Sequence, residues 1–190
     1  MQSPIALDRS RADTAIVHAS TSYHHMSTVT LVDVGNTARA RPEPGGVLDL
    51  DGVQYTLDEI HGHTPSEHTI DGRAADLEVH LVHRSADGAI AVVGVLFETT
   101  DGVYPVDTFI TNIGGLPTMV HLDHLVPGPP SPMFRYQGSL TTPPYTEGVE
   151  WVVHTKRGSV GTEALTEFAS RYGSNNRAIQ SAGDGSVRFG

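Results

Sequence analysis

Two histidines set two positions apart can share a ligand when the backbone is extended, because residues i and i+2 of a strand point to one face. His61 and His63 stand in that relation. A third, His80, lies in Leu77-Glu78-Val79-His80-Leu81-Val82-His83, a strand-like run rich in Leu and Val. Asp71-Gly72, between the two runs, is a strong turn signal. If the runs pair antiparallel, His80 can face the other two. Three neutral imidazoles leave a fourth position open, which is the ligand set of a catalytic zinc; a structural zinc is closed by four ligands, commonly thiolates. The chain contains no Cys.

A metal-bound imidazole usually passes its second N–H to a carboxylate or carbonyl. Glu59 and Glu78 each precede a proposed ligand by two residues, on the same face of the same strand, and are placed to orient it. With 11 His in the chain, spacing alone also suits an exposed His-x-His pair that holds metal loosely. Longer motifs narrow the choice. Ser66-Glu67-His68-Thr69, the run Leu77 to His83, and Gly138-Ser139-Leu140-Thr141-Thr142-Pro143-Pro144 with Glu147 and Trp151 together resemble the alpha-class carbonic anhydrases, bacterial type. The resemblance runs from Gln2-Ser3-Pro4-Ile5 to Asn175-Asn176-Arg177, nearly the whole chain.

This resemblance implies a mainly β fold: one domain over residues 1–190, built on a single twisted, mostly antiparallel sheet with few short helices. It implies Zn2+ at His61, His63 and His80, and reversible hydration of carbon dioxide to bicarbonate and a proton by attack of zinc-bound hydroxide. Such a nucleophile works only if its own proton is given to a fixed acceptor. Thr141 can be that acceptor, and an ionised Glu67 would take the hydroxyl proton of Thr141 and lock the direction of the relay. The backbone N–H of Thr141 would hold the developing bicarbonate oxygen. By the same resemblance Val82, Val92 and Leu140 wall the carbon dioxide pocket, with Thr141 and Thr142 beside the substrate, and the backbone of Asn175 orients one ligand.

Departures from the pattern matter as much. Where the family has a proton-shuttling histidine this chain has Asn36, which does not titrate; His24 and His25 are nearby in sequence and read as solvated surface groups. Gly62 replaces an aromatic residue between the ligands, which implies a thinner core behind the metal. Tyr145 stands where many bacterial relatives carry a Cys, and the aromatic stretch that holds its partner is missing before Gln2, so a shortened N-terminus is expected. The alternatives are a non-catalytic, carbonic-anhydrase-like binding module, though such domains typically lose a zinc histidine, and a weak zinc esterase using the same site.

Composition bounds these readings independently. At 190 residues and 38% hydrophobic content the chain suits one domain with a sizeable core. Its net charge of −10, from 12 basic and 22 acidic residues without a Lys/Arg cluster, argues against nucleic acid or an anionic membrane as partner. A small molecule is the expected partner, and nothing in the sequence fixes an oligomeric state. The chain as written shows no export signal and no apolar run near the roughly 20 residues that span a bilayer.

The elements that must position these groups are strands. Ala15-Ile16-Val17 and Thr28 to Val34 read as strands, Val47 to Tyr55 as a hairpin turning at Asp51-Gly52, and Ala89 to Phe97 as a central strand buried on both faces. Residues 103 to 133, rich in Pro and Gly, read as irregular connection with a short helix near Val106 to Ile113. His121 and His124 lie there and read as solvated for want of a third ligand. Thr162 to Tyr172 is the best helix, with Thr162 as its N-cap and Gly173 as its stop.

Overall fold

The run that carries His61 and His63, the run that carries His80 and the apolar run after it become the three longest strands, Val53–His63, Leu77–Ser85 and Ile90–Thr100, in a computed structural model that describes residues 1–190. They lie side by side, antiparallel, in a twelve-stranded sheet. Beyond Ile90–Thr100 the sheet continues through Glu147–His154, Met133–Ser139 and Val187–Phe189 to Asp13–Thr14. In the other direction Val53–His63 pairs with Ala38–Ala40, then Leu31–Asp33, while Gly46–Leu50 and Ala19–Tyr23 branch from the same strand. The sheet is mixed: Ile90–Thr100 runs parallel to Glu147–His154 and to Gly158–Gly161. Antiparallel pairs prevail, and the helices are few and short, Asp107–Thr111 and Thr162–Tyr172, as the mainly β expectation requires.

Alternation along the long strands divides the molecule into two faces. Leu77, Val79 and Leu81 join Ala91, Val93, Val95 and Phe97 in a core of 26 buried residues behind the sheet. The in-between positions, Val82, Val92 and Leu96, belong to a second core of 12 residues on the opposite face, with Trp151 and Tyr136. Glu78 and His80 share the alternation of Val82, so these polar side chains sit on the face with the smaller core. The larger core makes a rigid back wall for it.

Turn chemistry sets the strand register. At Asp51-Gly52 both residues have positive φ, 52° and 85°, as a two-residue hairpin turn demands, and Val47 pairs with Thr56 across it. Asp71 and Gly72 also lie at positive φ, 50° and 77°, on the return toward the second ligand strand. Directly across that strand pair His80 meets His61 and Glu78 meets His63.

Some local expectations fail for identifiable reasons. Ala15–Val17 forms no strand and Ile16 is 77% exposed, because strand propensity is realised only where a partner and a buried face exist. The run from Thr28 breaks at Thr30: Ser27–Val29 pairs with Thr118–Val120, whereas Leu31–Asp33 pairs with Ala38–Ala40. Gly161, not Thr162, is the N-cap of the long helix; no side chain caps it, and the N–H of Gly161 itself donates to the Asp107 carboxylate at 2.9 Å. Behind Gly62 the core is not thin. Phe168 and Leu77 come within 3.5 Å of where a Cβ would sit, filling the place of a larger residue from the helix.

Two histidines remote from the ligand set make folding sensitive to acid. Burial pushes His83, whose Nε2 lies 2.9 Å from the Tyr23 hydroxyl, and His154 down to about 4. Their unfolded value is about 6.5, so between about 4 and 6.5 the unfolded chain binds more protons and stability rises with pH. The contribution is complete above the unfolded value and is lost as pH falls toward 4. The urea midpoint is expected to drop as pH falls through that window, the unfolding free energy losing at most about 1.4 kcal/mol per pH unit for each ring, and His154→Gln should flatten the slope. A midpoint level from pH 6.5 to 4 contradicts the assignment.

Candidate metal centre

Pairing of the two ligand strands brings His61, His63 and His80 together with ring centroids 4.7 to 5.3 Å apart. One nitrogen from each lies within 4.8 Å of the others. All three rings are buried, at 9%, 2% and 1% exposure.

Each ring meets a different group. His80 approaches the Glu78 carboxylate through Nε2 at 3.0 Å, which turns Nδ1 inward. His63 sends Nδ1 to the carbonyl of Asn175 at 3.2 Å, leaving Nε2 buried without any partner. His61 Nδ1 lies 3.3 Å from Glu59 Oε1 but outside hydrogen-bond geometry, so it too is left without a closed bond. An orphaned buried nitrogen beside two convergent imidazoles is a costly arrangement without a metal and a suitable one with it. The donor set fits Zn2+, with three imidazoles and no fourth protein ligand in the group. Burial pushes His63 down and His80 down to about 3, so both rings are neutral at ordinary pH and can coordinate without first losing a proton.

The surrounding carboxylates differ in charge because their partners differ. Burial alone would raise Glu78, but His68 and His80 outweigh it and hold the carboxyl well below the usual range. The His68 backbone N–H donates to Glu78 Oε2 at 2.8 Å, and its Nδ1 meets Oε1 at 2.7 Å. The far side of the His68 ring meets the Tyr136 hydroxyl at 2.7 Å, and that hydroxyl donates to Ser3 Oγ at 2.9 Å. Glu67 behaves in the opposite way, since burial pushes it up against the lowering effect of His63, Thr141 and the Arg177 N–H, which donates to Oε1 at 2.7 Å. Its Oε2 is buried with no closed bond, 3.9 Å from His80 Nδ1, and Thr141 is near enough to act on its ionisation.

A cavity of about 100 Å³ opens beside His61 and His80. Its lining includes the apolar Val82, Val92, Leu140 and Trp151 together with Thr141, Thr142, Glu59, Arg39 and Arg84. Leu140 N–H donates to Thr146 O and Tyr145 N–H to Thr142 O, so the turn closes without using the N–H of Thr141. Asn36 is exposed and outside this lining; its carbonyl accepts from Asn175 Nδ2 at 2.8 Å. His24 and His25 do not line the cavity either.

Sequence reasoning assigned no role here to Arg39, Arg84, His68 or Tyr136. Arg39 reaches the site by pairing opposite His61 from a strand of three residues, too short to carry a pattern. His68 was visible in its motif, but its bond to Glu78, ten residues on, depends on how the intervening turn folds.

A family model described as eukaryotic-type carbonic anhydrase matches residues 1–186. The chain belongs to this family. A carbonic anhydrase of Pectobacterium carotovorum is 32% identical over 161 residues, covering 80% of this chain and 66% of the relative. This chain thus spans just under two thirds of that relative's length. Among solved structures, the alpha-carbonic anhydrase of Photobacterium profundum superposes with a TM-score of 0.86 at 28% identity, covering 98% of this chain and 88% of its own. Dioscorin, solved in complex with ascorbate, superposes at 0.85 with 30% identity, covering 99% and 84%. Family membership thus rests on both sequence and fold.

Proposed function

We propose that the chain is a zinc-dependent carbonic anhydrase that hydrates carbon dioxide to bicarbonate and a proton, with His61, His63 and His80 as ligands. The carrying observation is the unpartnered, buried Nε2 of His63 aimed where two further imidazoles converge, beside a cavity with an apolar wall. When bound, zinc supplies a water acidified to a pKa of roughly 7 and a positive charge that draws Glu67 toward ionisation.

The chain's own residues do the rest. Glu78 and the Asn175 carbonyl hold His80 and His63 in the tautomers that present Nδ1 and Nε2 inward, and Glu59 biases His61. Val82, Val92 and Leu140, with Trp151, offer carbon dioxide an apolar surface and keep water from competing for that wall. With Glu67 ionised, the Thr141 hydroxyl would donate a hydrogen bond to its Oε2, now unpartnered, and its own lone pair would then accept from the attacking oxygen and fix that oxygen's direction. Its N–H, unused in the turn, meets the oxygen on which negative charge develops, and Thr142 borders the product. The test is stopped-flow carbon dioxide hydration with the metal removed by a chelator and then restored. Activity lost and regained with stoichiometric zinc is the expected result; rates equal to buffer throughout would overturn the proposal. The same measurement separates catalysis from a purely ligand-binding role, to which the likeness to dioscorin also points.

Each hydration releases a proton that must leave the cleft, and Asn36 cannot carry it. A shuttle takes and gives a proton near neutral pH, as His does at about 6.5 and an amide does not. Turnover is expected to rise with the concentration of small imidazole-type buffers. Asn36→His should raise kcat in weak buffer while leaving kcat/KM nearly unchanged, because the latter reports steps before proton export. Turnover insensitive to both buffer and substitution would place the slow step elsewhere.

A further inference from the structure

His121 and His124, read from sequence as lacking a third ligand, have two more donors beside them once the chain folds. The short antiparallel pair of Ser27–Val29 with Thr118–Val120 puts Val120 opposite Ser27, so the chain entering one strand lies beside the chain leaving the other. His25 is thereby delivered to the turn Leu122–His124. Its ring lies 4.5 Å from that of His121 and 5.8 Å from that of His124, while His121 and His124 stack at 5.0 Å. Asp123 completes the group, with Oδ2 at 2.9 Å from His25 Nδ1. One donor atom from each of the four residues lies within 4.8 Å of the others.

Two observations separate this cluster from a chance gathering of surface histidines. Nδ1 of His121 and Oδ1 of Asp123 are shielded from solvent yet have no hydrogen-bond partner, a cost that a shared cation would remove. The donors also come from two segments about a hundred residues apart, held by backbone pairing that does not depend on the side chains. Three imidazoles and one carboxylate match a borderline divalent transition metal, whereas calcium and magnesium prefer oxygen donors. Tetrahedral zinc needs its donors about 3.4 Å apart, so the 2.9 Å contact of His25 Nδ1 with Asp123 Oδ2 must open and the wider spacings, within 4.8 Å, must close, adjustments that rotamers of the exposed His25 and His124 can supply.

We propose that His25, His121, Asp123 and His124 form a second zinc site, distinct from the three-histidine centre and closed by four protein ligands. Closure implies a structural role, clamping the strand beginning at Ser27 to the turn after Val120. None of the four lines the cavity beside His61 and His80, so this inference stands whether or not the chain hydrates carbon dioxide.

The test is zinc titration of the full chain under buffered free metal. About two zinc ions per chain are expected for the unaltered protein and about one for the His25→Gln/His124→Gln variant, whose substitutions are on the surface. His80→Ala should lose the other zinc and keep this one, so failures at the two centres can be told apart. Diethylpyrocarbonate modification of the unaltered protein needs no variant: with the first centre already filled, further zinc should protect His25, His121 and His124. A stoichiometry that stops at one in the unaltered protein, a second zinc retained by the double variant, or absence of that protection overturns the site.

Discussion

His80→Ala is expected to abolish tight zinc binding at the three-histidine centre and, with it, carbon dioxide hydration above the buffer rate. The effect should be the largest of any single substitution because His80 alone comes from the second ligand strand, and the remaining pair, His61 and His63, sits on one strand. Two imidazoles cannot fix a tetrahedral ion with one open position. The measurement is metal content after dialysis at free zinc low enough to leave the cluster around His121 empty, with circular dichroism to establish the fold. Since His80 packs against Trp151 with centroids 4.9 Å apart, its loss also leaves a gap. His61→Ala, on the cavity edge, is therefore the companion variant. Stoichiometric zinc in either folded variant means that the ligands are misassigned.

Thr141→Ala should keep its zinc and lose on the order of 10²-fold in kcat/KM for hydration, since it removes the orienting hydroxyl and leaves every ligand untouched. Thr141→Ser, which retains the hydroxyl, should recover most of the rate. That contrast separates proton direction from packing: a role confined to the turn between Leu140 and Thr146 would leave both variants active. The affinity for zinc, read in parallel, should stay level.

The legible part of this molecule was the part written as local pattern. His-x-His on a strand, the apolar run of Ile90–Thr100, Asp51-Gly52 and Gly173 each fix geometry within a few residues, and the structure has them where local rules require. What escaped depends on strands that meet across long stretches of chain. Ile16 has the right residue type and no partner; Phe168 fills the space behind Gly62 from more than a hundred residues away. His25 shows the same limit, being one solvated residue in sequence and the neighbour of two histidines and an aspartate in space. Register between distant strands is set by the whole sheet, and no window of sequence contains it.

The hydrogen-bonded line from His80 through Glu78, His68 and Tyr136 ends at Ser3, whose backbone N–H in turn donates to Ser139 Oγ at 2.9 Å. Every member is buried, and Glu78 Oε1 serves two rings at once, so the polarity of one link sets that of the next. If the seating of Ser3 helps to hold His80, reciprocity requires a bound ion to tighten that seating by the same factor. Backbone amides near Ser3 should then exchange more slowly with solvent deuterium when the distant imidazoles are occupied, an echo of metal occupancy at the opposite end of the wire.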